Sequence, residues 1–333
     1  MSTHLTMSPA AVPTSSHPAL AVHTLYGETM GTRWRVDLCA GRGVPLDALH
    51  AAVQARLDAI VAQMSTWETD SDISRFNRAP AGSLYALPDD FFRVMDCALQ
   101  VAGASGGAFD PALGALVAAW GFGAHGATRA VPETAAVTRA LAASGWRRLR
   151  LDRDTRELVQ PGGVSLDLSA IAKGHGVDAV VDTLRERGIA AALVDVGGEL
   201  RGFGRKPDGS PWRVLVDTGR DDDDGGDPCV LALDDIAVAT SGPRWHRFEA
   251  DGREYAHTID PRSGEPVADT PAAVSVIDRE AMHADAWSTA LTAMGTEAGF
   301  AFASAHGLAA RVVPAGDSAV PRMTPAFAEH LAP

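Results

Sequence analysis

The sequence predicts an α+β fold, with strands and helices mixed along the chain and no regular βαβ alternation. Three observations carry this reading. Apolar residues recur at intervals of three and four in several separate segments, in other segments the period drops to two, and no unit repeats at a fixed length. Solenoids and propellers are thereby set aside. The 333 residues, 46% hydrophobic and 21% charged, suffice for one large core or two modest ones and carry no compositional sign of disorder.

Taken in order, residues 1–22 read as a flexible leader, 23–320 as the folded domain and 321–333 as a C-terminal tail. A strand is predicted over 32–38, after the turn-like Gly31. Leu49, Val53, Leu57, Ile60 and Met64 then form one apolar helical stripe, and Phe92, Met95, Leu99 and Ala102 a second. A third helix opens at Pro132-Glu133 and stops at Gly145, the residue types expected at those ends. From Trp146 the period is two. Leu149 and Leu151 alternate with arginines, 152–155 reads as a turn, and Val164, Leu166 and Leu168 lie on one face of another strand. Ser169 is the expected cap of a helix running through Val177, Val180, Val181 and Leu184 to Gly188. Segments 191–196 and 212–216 look extended, and the last well-patterned helix spans 284–294.

The formal net charge of −13, without a basic stripe, excludes nucleic acid as a partner. The run Asp221 to Asp224, followed by Gly225, Gly226 and Pro228, reads as a solvated loop. Cys39, Cys97 and Cys229 form no CxxC pair, so neither a disulfide framework nor a cysteine metal site is expected. No apolar run approaches a signal-peptide core or a membrane span; as written the chain reads as cytoplasmic, and as periplasmic if the true N-terminus is missing. Leu38-Cys39-Ala40-Gly41 is similar to a lipoprotein cleavage site, but Asp37 precedes it and nothing hydrophobic lies upstream, so Cys39 reads as ordinary structure.

Three segments carry candidate chemistry. Asp285 and Thr289 are four residues apart on a predicted helix, so a carboxylate and a hydroxyl point the same way while Trp287, Leu291 and Met294 make the apolar face. Two hard oxygen donors among small residues suit Mg²⁺, which completes its shell with water and phosphate. The same pair also reads as an N-terminal-turn Asp and a Thr bonding back to its helix. The junction from Leu166 to Asp178 leads a strand into a helix through small residues, where Lys173 can meet a phosphate, or else is an exposed lysine on a tight strand-to-helix turn. His257 stands in the dense polar turn Tyr255-Ala256-His257-Thr258-Ile259-Asp260-Pro261-Arg262, where it suits proton transfer, with a structural pairing to Asp260 as the other reading. Gly197, Gly198, Gly202 and Gly204 do not form a Rossmann fingerprint, though they are compatible with close backbone approach.

In order and wording, these segments resemble the ApbE family of FAD:protein FMN transferases. The resemblance runs through Met30-Gly31-Thr32, Met64-Ser65-Thr66-Trp67, Ser74-Arg75-Phe76-Asn77, Gly107-Ala108-Phe109-Asp110-Pro111 and Trp120-Gly121-Phe122-Gly123. It continues through 167–178, Val196-Gly197-Gly198, Thr240-Ser241-Gly242, 257–264 and 284–295. Nearly all of residues 25–300 are covered. No single block is specific; so many in one order are.

The resemblance implies mixed or antiparallel sheets flanked by helices, with an FAD cleft between a main body and a smaller lobe. It implies Asp285, Thr289 and the carbonyl of Ala170 as ligands of Mg²⁺, which Mn²⁺ can replace. Met30, Trp67, Asp110, Lys173 and His257 fall where the family contacts FAD, with Trp67 in place of an expected tyrosine that it matches as a flat stacking surface. His257 falls at the histidine that activates the acceptor hydroxyl, oriented by Asp260, and Lys173 at the phosphate or leaving group. The implied reaction moves FMN from FAD to a Ser or Thr hydroxyl of a flavoprotein subunit bearing a short flavinylation motif, and releases AMP. A FAD pyrophosphatase and a non-catalytic FAD-binding protein are the competing readings. After Thr240-Ser241-Gly242 the family usually has Asp-Tyr; here Pro243, Arg244 and Trp245 follow.

Overall fold

A computed structural model describes residues 20–124, 130–219, 229–244, 247–316 and 320–332. Strand β1 (Ala21–Thr29) pairs with β2 (Thr32–Ala40) across the two-residue turn Met30-Gly31, whose φ angles of 49° and 71° are the left-handed pair that closes tight hairpins. β1 thus begins inside the segment expected to be leader; residues 1–19 lie outside the described residues. It buries only Leu25 and Thr29, so its sequence carries little alternation.

The chain then leaves the sheet. Helix α1 (Leu46–Met64) buries all five predicted stripe residues. Helix α2 (Asp72–Arg78), strand β3 (Leu84–Ala86), helices α3 (Asp89–Ala104), α4 (Gly114–Ala119) and α5 (Thr134–Ala143), and strands β4 (Arg150–Asp152) and β5 (Glu157–Val159) follow. β3, β5 and β4 form a small antiparallel sheet. In α3 the buried stripe runs through Phe91, Val94, Met95, Ala98, Val101 and Ala102, whereas the expected Phe92 and Leu99 are half-buried. With two adjacent phenylalanines, periodicity alone does not choose which one faces the core.

Val164, Leu166 and Leu168 are buried in alternation as predicted, but the segment lies in no sheet. Its pairing comes from elsewhere. Asn77 Nδ2 donates to the Leu166 carbonyl at 3.0 Å and the Leu166 amide to Asn77 Oδ1 at 2.7 Å, while the Asp167 amide donates to the Pro111 carbonyl at 2.9 Å. Helix α6 (Ala172–Glu186) starts after Ile171, not at a Ser169 cap; the exposed Ser169 has its own amide drawn to Asp167 Oδ1 at 2.9 Å.

The remaining strands are β6 (Ala192–Val196), β7 (Glu199–Phe203), β8 (Trp212–Leu215), β9 (Val230–Leu233), β10 (Ile236–Ser241), β11 (Arg247–Ala250), β12 (Arg253–Ala256), β13 (Ala273–Asp278), β14 (Ala309–Val313) and β15 (Arg322–Met323). With them come helices α7 (Ala281–Met294), α8 (Thr296–Ala305) and α9 (Pro325–Ala328). Eight strands form one antiparallel sheet in the order β1-β2-β6-β7-β10-β13-β14-β15.

One face of that sheet packs Trp34, Val36, Val194 and Val196 on Leu57, Val177, Val180 and Leu184 of α1 and α6, and Val274 and Val276 on Leu291 and Ala303 of α7 and α8. On the other face the β8–β9 hairpin and α9 bury Trp212, Leu231, Leu233 and Phe327 with Cys39, which is therefore a core residue. Residues 321–332 are not a loose tail: β15 extends the sheet, and Thr324 caps α9, whose Phe327 is fully buried. The acidic run 221–224 and Trp245 lie outside the described residues.

Candidate functional site

The site begins at the crossing of α6 and α7. A Cβ on Gly174 would stand 2.3 Å from the Ala281 carbonyl oxygen and 2.8 Å from Asp285 Cβ, so only glycine lets the helices come this close. At the crossing the Gly174 amide donates to Asp285 Oδ2 at 3.0 Å. Asp285 is buried and lies past the first turn of α7, so it is not a cap of its own helix. The hydroxyls that bond back along α7 are Ser288 and Thr292; Thr289 is half-buried, four residues on from Asp285. Burial pushes the Asp285 carboxyl up from its ordinary value, against the pull of Lys173 and the Gly174 amide.

Beside Gly174, Lys173 reaches the sheet. Val196 and Glu199 face each other across the Gly197-Gly198 turn, which has φ angles of 64° and 103°, and Lys173 Nζ donates to Glu199 Oε1 at 2.5 Å. Glu199 is buried, and its Oε2 has no hydrogen-bond partner among the described residues. Burial drives the Glu199 carboxyl up despite Lys173. For Lys173 burial opposes the charge, but Glu199 and Asp285 more than offset it and hold the ammonium above its ordinary pKa. The sequence reading missed Glu199, because it weighed this stretch only for its glycines; the alternation of Glu199 and Arg201 with Leu200 and Gly202 was the available signal. It also missed Asp178, which is buried and accepts from the Ala281 amide at 3.0 Å, the Met282 amide at 2.9 Å and Arg201 Nη1 at 2.6 Å.

The other predicted residues lie on separate segments. Ala170 is half-buried in the turn that feeds α6. Met30 packs against both the core of the helical insertion and the core under the sheet. Trp67 is 70% exposed, so its face is free of the core. Asp110 uses both oxygens on backbone, accepting from the Ala112 amide at 2.8 Å and the Trp146 amide at 2.9 Å, while burial raises its carboxyl above the ordinary value.

His257 follows β12 in a loop held by residues at the end of α4. Trp120 Nε1 donates to the Gly264 carbonyl at 2.8 Å, the Trp120 ring lies 5.5 Å from that of Tyr255, and Phe122 meets the imidazole edge-on at 6.4 Å. Asp260, the expected orienting residue, is engaged by its own loop. Its carboxylate is taken by Arg262, through Nε at 2.8 Å and Nη2 at 3.0 Å, because the Arg262 amide has already turned the chain back onto Oδ1 at 2.9 Å. At the departure after Gly242, Arg244 pairs with Asp217 at 3.2 Å.

Among the described residues no group of three or more His, Cys, Asp and Glu side chains is arranged to hold a metal. A cation here would rest on the single carboxylate of Asp285 with neutral oxygens. That donor set fits Mg²⁺ or Mn²⁺ and does not fit zinc.

An antiparallel sheet backed by helices is an α+β fold, and the paired, buried ionisable groups gathered at a helix crossing are of the kind that active sites carry. The chain belongs to the ApbE family, whose sequence model matches residues 30–312. An FAD:protein FMN transferase of Vibrio cholerae is 36% identical over 290 residues, covering 87% of this chain and 86% of that one. One from Klebsiella pneumoniae is 32% identical over 325 residues, covering 96% and 92%. In structure the chain is similar to the flavinyl transferase ApbE of Pseudomonas stutzeri in its apo form, with a TM-score of 0.85 and 38% identity over 94% of this chain and 97% of that one. The flavin transferase ApbE of Vibrio cholerae gives the same TM-score at 31% identity, over 94% and 100%.

Proposed function

We propose that this chain transfers FMN from FAD to a Ser or Thr hydroxyl of an acceptor flavoprotein, releasing AMP. The observation that carries the reading is the meeting of Asp285, Gly174 and Lys173 at one helix crossing, in a chain that matches the ApbE family over nearly its whole length. Asp285, Thr289 and the Ala170 carbonyl would hold Mg²⁺ or Mn²⁺, which offsets charge on the diphosphate of FAD when bound. Met30, Trp67 and Asp110 would contact FAD, Met30 from between the core of the helical insertion and the core under the sheet and Trp67 through its exposed face, which is open for stacking.

The chemistry asked of the side chains is then limited. His257 accepts the proton of the acceptor hydroxyl as its oxygen bonds to the FMN phosphorus. The phosphoanhydride bond breaks, and AMP leaves with the bridging oxygen. Lys173, kept charged by Glu199 and Asp285, holds the phosphate or the departing AMP. The partner is a flavoprotein subunit that presents a short flavinylation motif containing Asp and Ser or Thr. No helix among the described residues is long and apolar enough to cross a membrane.

The test is AMP release from FAD with and without an acceptor domain, together with covalent flavin on the acceptor. Transfer requires AMP release that depends on the acceptor and matches the flavin attached. Equal release without acceptor would make the chain a pyrophosphatase, and FAD binding without release a carrier.

A further inference from the structure

Helix α7 presents Asp285 and Thr289, yet its own start is not capped by its own sequence: Glu280, at the N-cap position, makes no side-chain cap bond. The cap comes from α6. Asp178 Oδ1 accepts from the Ala281 amide at 3.0 Å and Oδ2 from the Met282 amide at 2.9 Å, the first two amides of α7. One turn earlier on α6 the relation is reversed, since the Gly174 amide donates to the side chain of Asp285, one turn further along α7. A side chain of α6 thus grips the backbone of α7, and the backbone of α6 grips a side chain of α7. Arg201 of β7 fixes Asp178 in turn, with Nη1 at 2.6 Å from Oδ1.

We propose that Asp178 is a positioning residue for the cation site and that its bonds to α7, together with the Gly174 bond to Asp285, form a reciprocal latch that sets the register of α7 against α6. The inference rests on the function proposed above. A slip of α7 by one residue moves its side chains by about 1.5 Å along the axis and 100° around it. Such a slip breaks both halves of the latch and takes the Asp285 carboxylate away from the first turn of α6. The two tethers are buried, so no water replaces them. Asp178 spends both oxygens on Arg201 and the first amides of α7, so it acts through α7.

The experiment titrates Mg²⁺ against AMP release at saturating FAD and acceptor, and separately against the melting temperature of the protein without FAD. The wild type sets the reference, and Asp285→Ala must lose both responses. Asp178→Asn is expected to raise the half-saturating Mg²⁺ concentration by about 10- to 100-fold, the range for residues that orient a ligand, with kcat at saturating Mg²⁺ kept within a few-fold. A lowered melting temperature with unchanged half-saturation would make Asp178 a purely structural cap and overturn the proposal.

Should the single variant not fold, Asp178→Asn combined with Glu280→Ser gives α7 a local cap. A raised half-saturation in that double variant supports the latch, and wild-type half-saturation overturns it. If the wild type itself ignores Mg²⁺, the proposed function has failed and the latch falls with it. If Asp285→Ala abolishes the response while Asp178→Asn leaves it alone, the latch fails by itself.

Discussion

Trp67 and His257 separate binding from transfer at the scale of single residues. Because the Trp67 side chain is 70% exposed, removing it leaves no cavity. Trp67→Ala is expected to weaken FAD binding by roughly 1–3 kcal/mol, the range for a base stacked on an aromatic ring, with an unchanged melting temperature; a flavin fluorescence titration giving wild-type affinity would remove Trp67 from the site. His257 sits on a loop held by Trp120 and Phe122, and the proposed cation ligands and stacking surface come from other segments. His257→Ala should therefore bind FAD and Mg²⁺ nearly as before while transfer falls by about 10²- to 10⁴-fold, the usual contribution of a positioned base. The deficit should narrow as pH rises and the hydroxyl needs less help. A variant that transfers flavin at the wild-type rate at every pH would leave the base to be found among the carboxylates.

At the scale of elements, the α6–α7 crossing depends on the missing side chain of Gly174. Gly174→Ala is expected to cost about 1–3 kcal/mol of stability in urea unfolding, the range for overpacking, because a methyl 2.3 Å from the Ala281 oxygen must push the helices apart. Stability within error of the wild type would mean that the crossing has room to give. Helices with one clear stripe, such as α1, were legible in the sequence, since Leu49, Val53, Leu57, Ile60 and Met64 need only a core to face. Elements defined by a distant partner were not. The strand expected over 164–168 is paired by the Asn77 amide, β1 is an edge strand with little apolar alternation, and the cap of α7 comes from a residue more than 100 positions earlier. The same holds for the site. Asp285, Thr289, Lys173 and His257 could be named from the order of motifs, whereas Glu199, Asp178 and Arg201 acquire their partners only when β7, α6 and α7 meet.

For the molecule as a whole, Asp90 joins three helices that hold the insertion to the sheet layer. Arg56 of α1 donates to both its oxygens, at 2.6 and 2.5 Å, and His175 Nε2 of α6 lies 2.9 Å from Oδ1. Burial works against the Asp90 carboxylate, but Arg56 and His175 more than offset it and hold its pKa well below the ordinary range. A carboxyl depressed in this way contributes stability above its unfolded pKa and loses it as pH falls towards the folded value. Asp90→Asn is expected to cost about 1.5–3 kcal/mol at neutral pH, the range for hydrogen bonds to a charged group, and to flatten the fall in stability below about pH 4. Parallel stability curves for variant and wild type across that range would show that Asp90 titrates as if exposed.

The sheet also constrains the order in which the molecule can assemble. Trp34 of β2 lies opposite Val196 of β6, with the whole helical insertion looped out between them. The chain entropy of closing that loop is lost before the central ladder forms, so zippering cannot run from the β1–β2 hairpin into the rest of the sheet. The insertion must collapse first and bring its two ends together. Until it does, one side of β2 remains an unsatisfied strand edge, and a nascent chain is at its most aggregation-prone in the interval between synthesis of β2 and synthesis of β6.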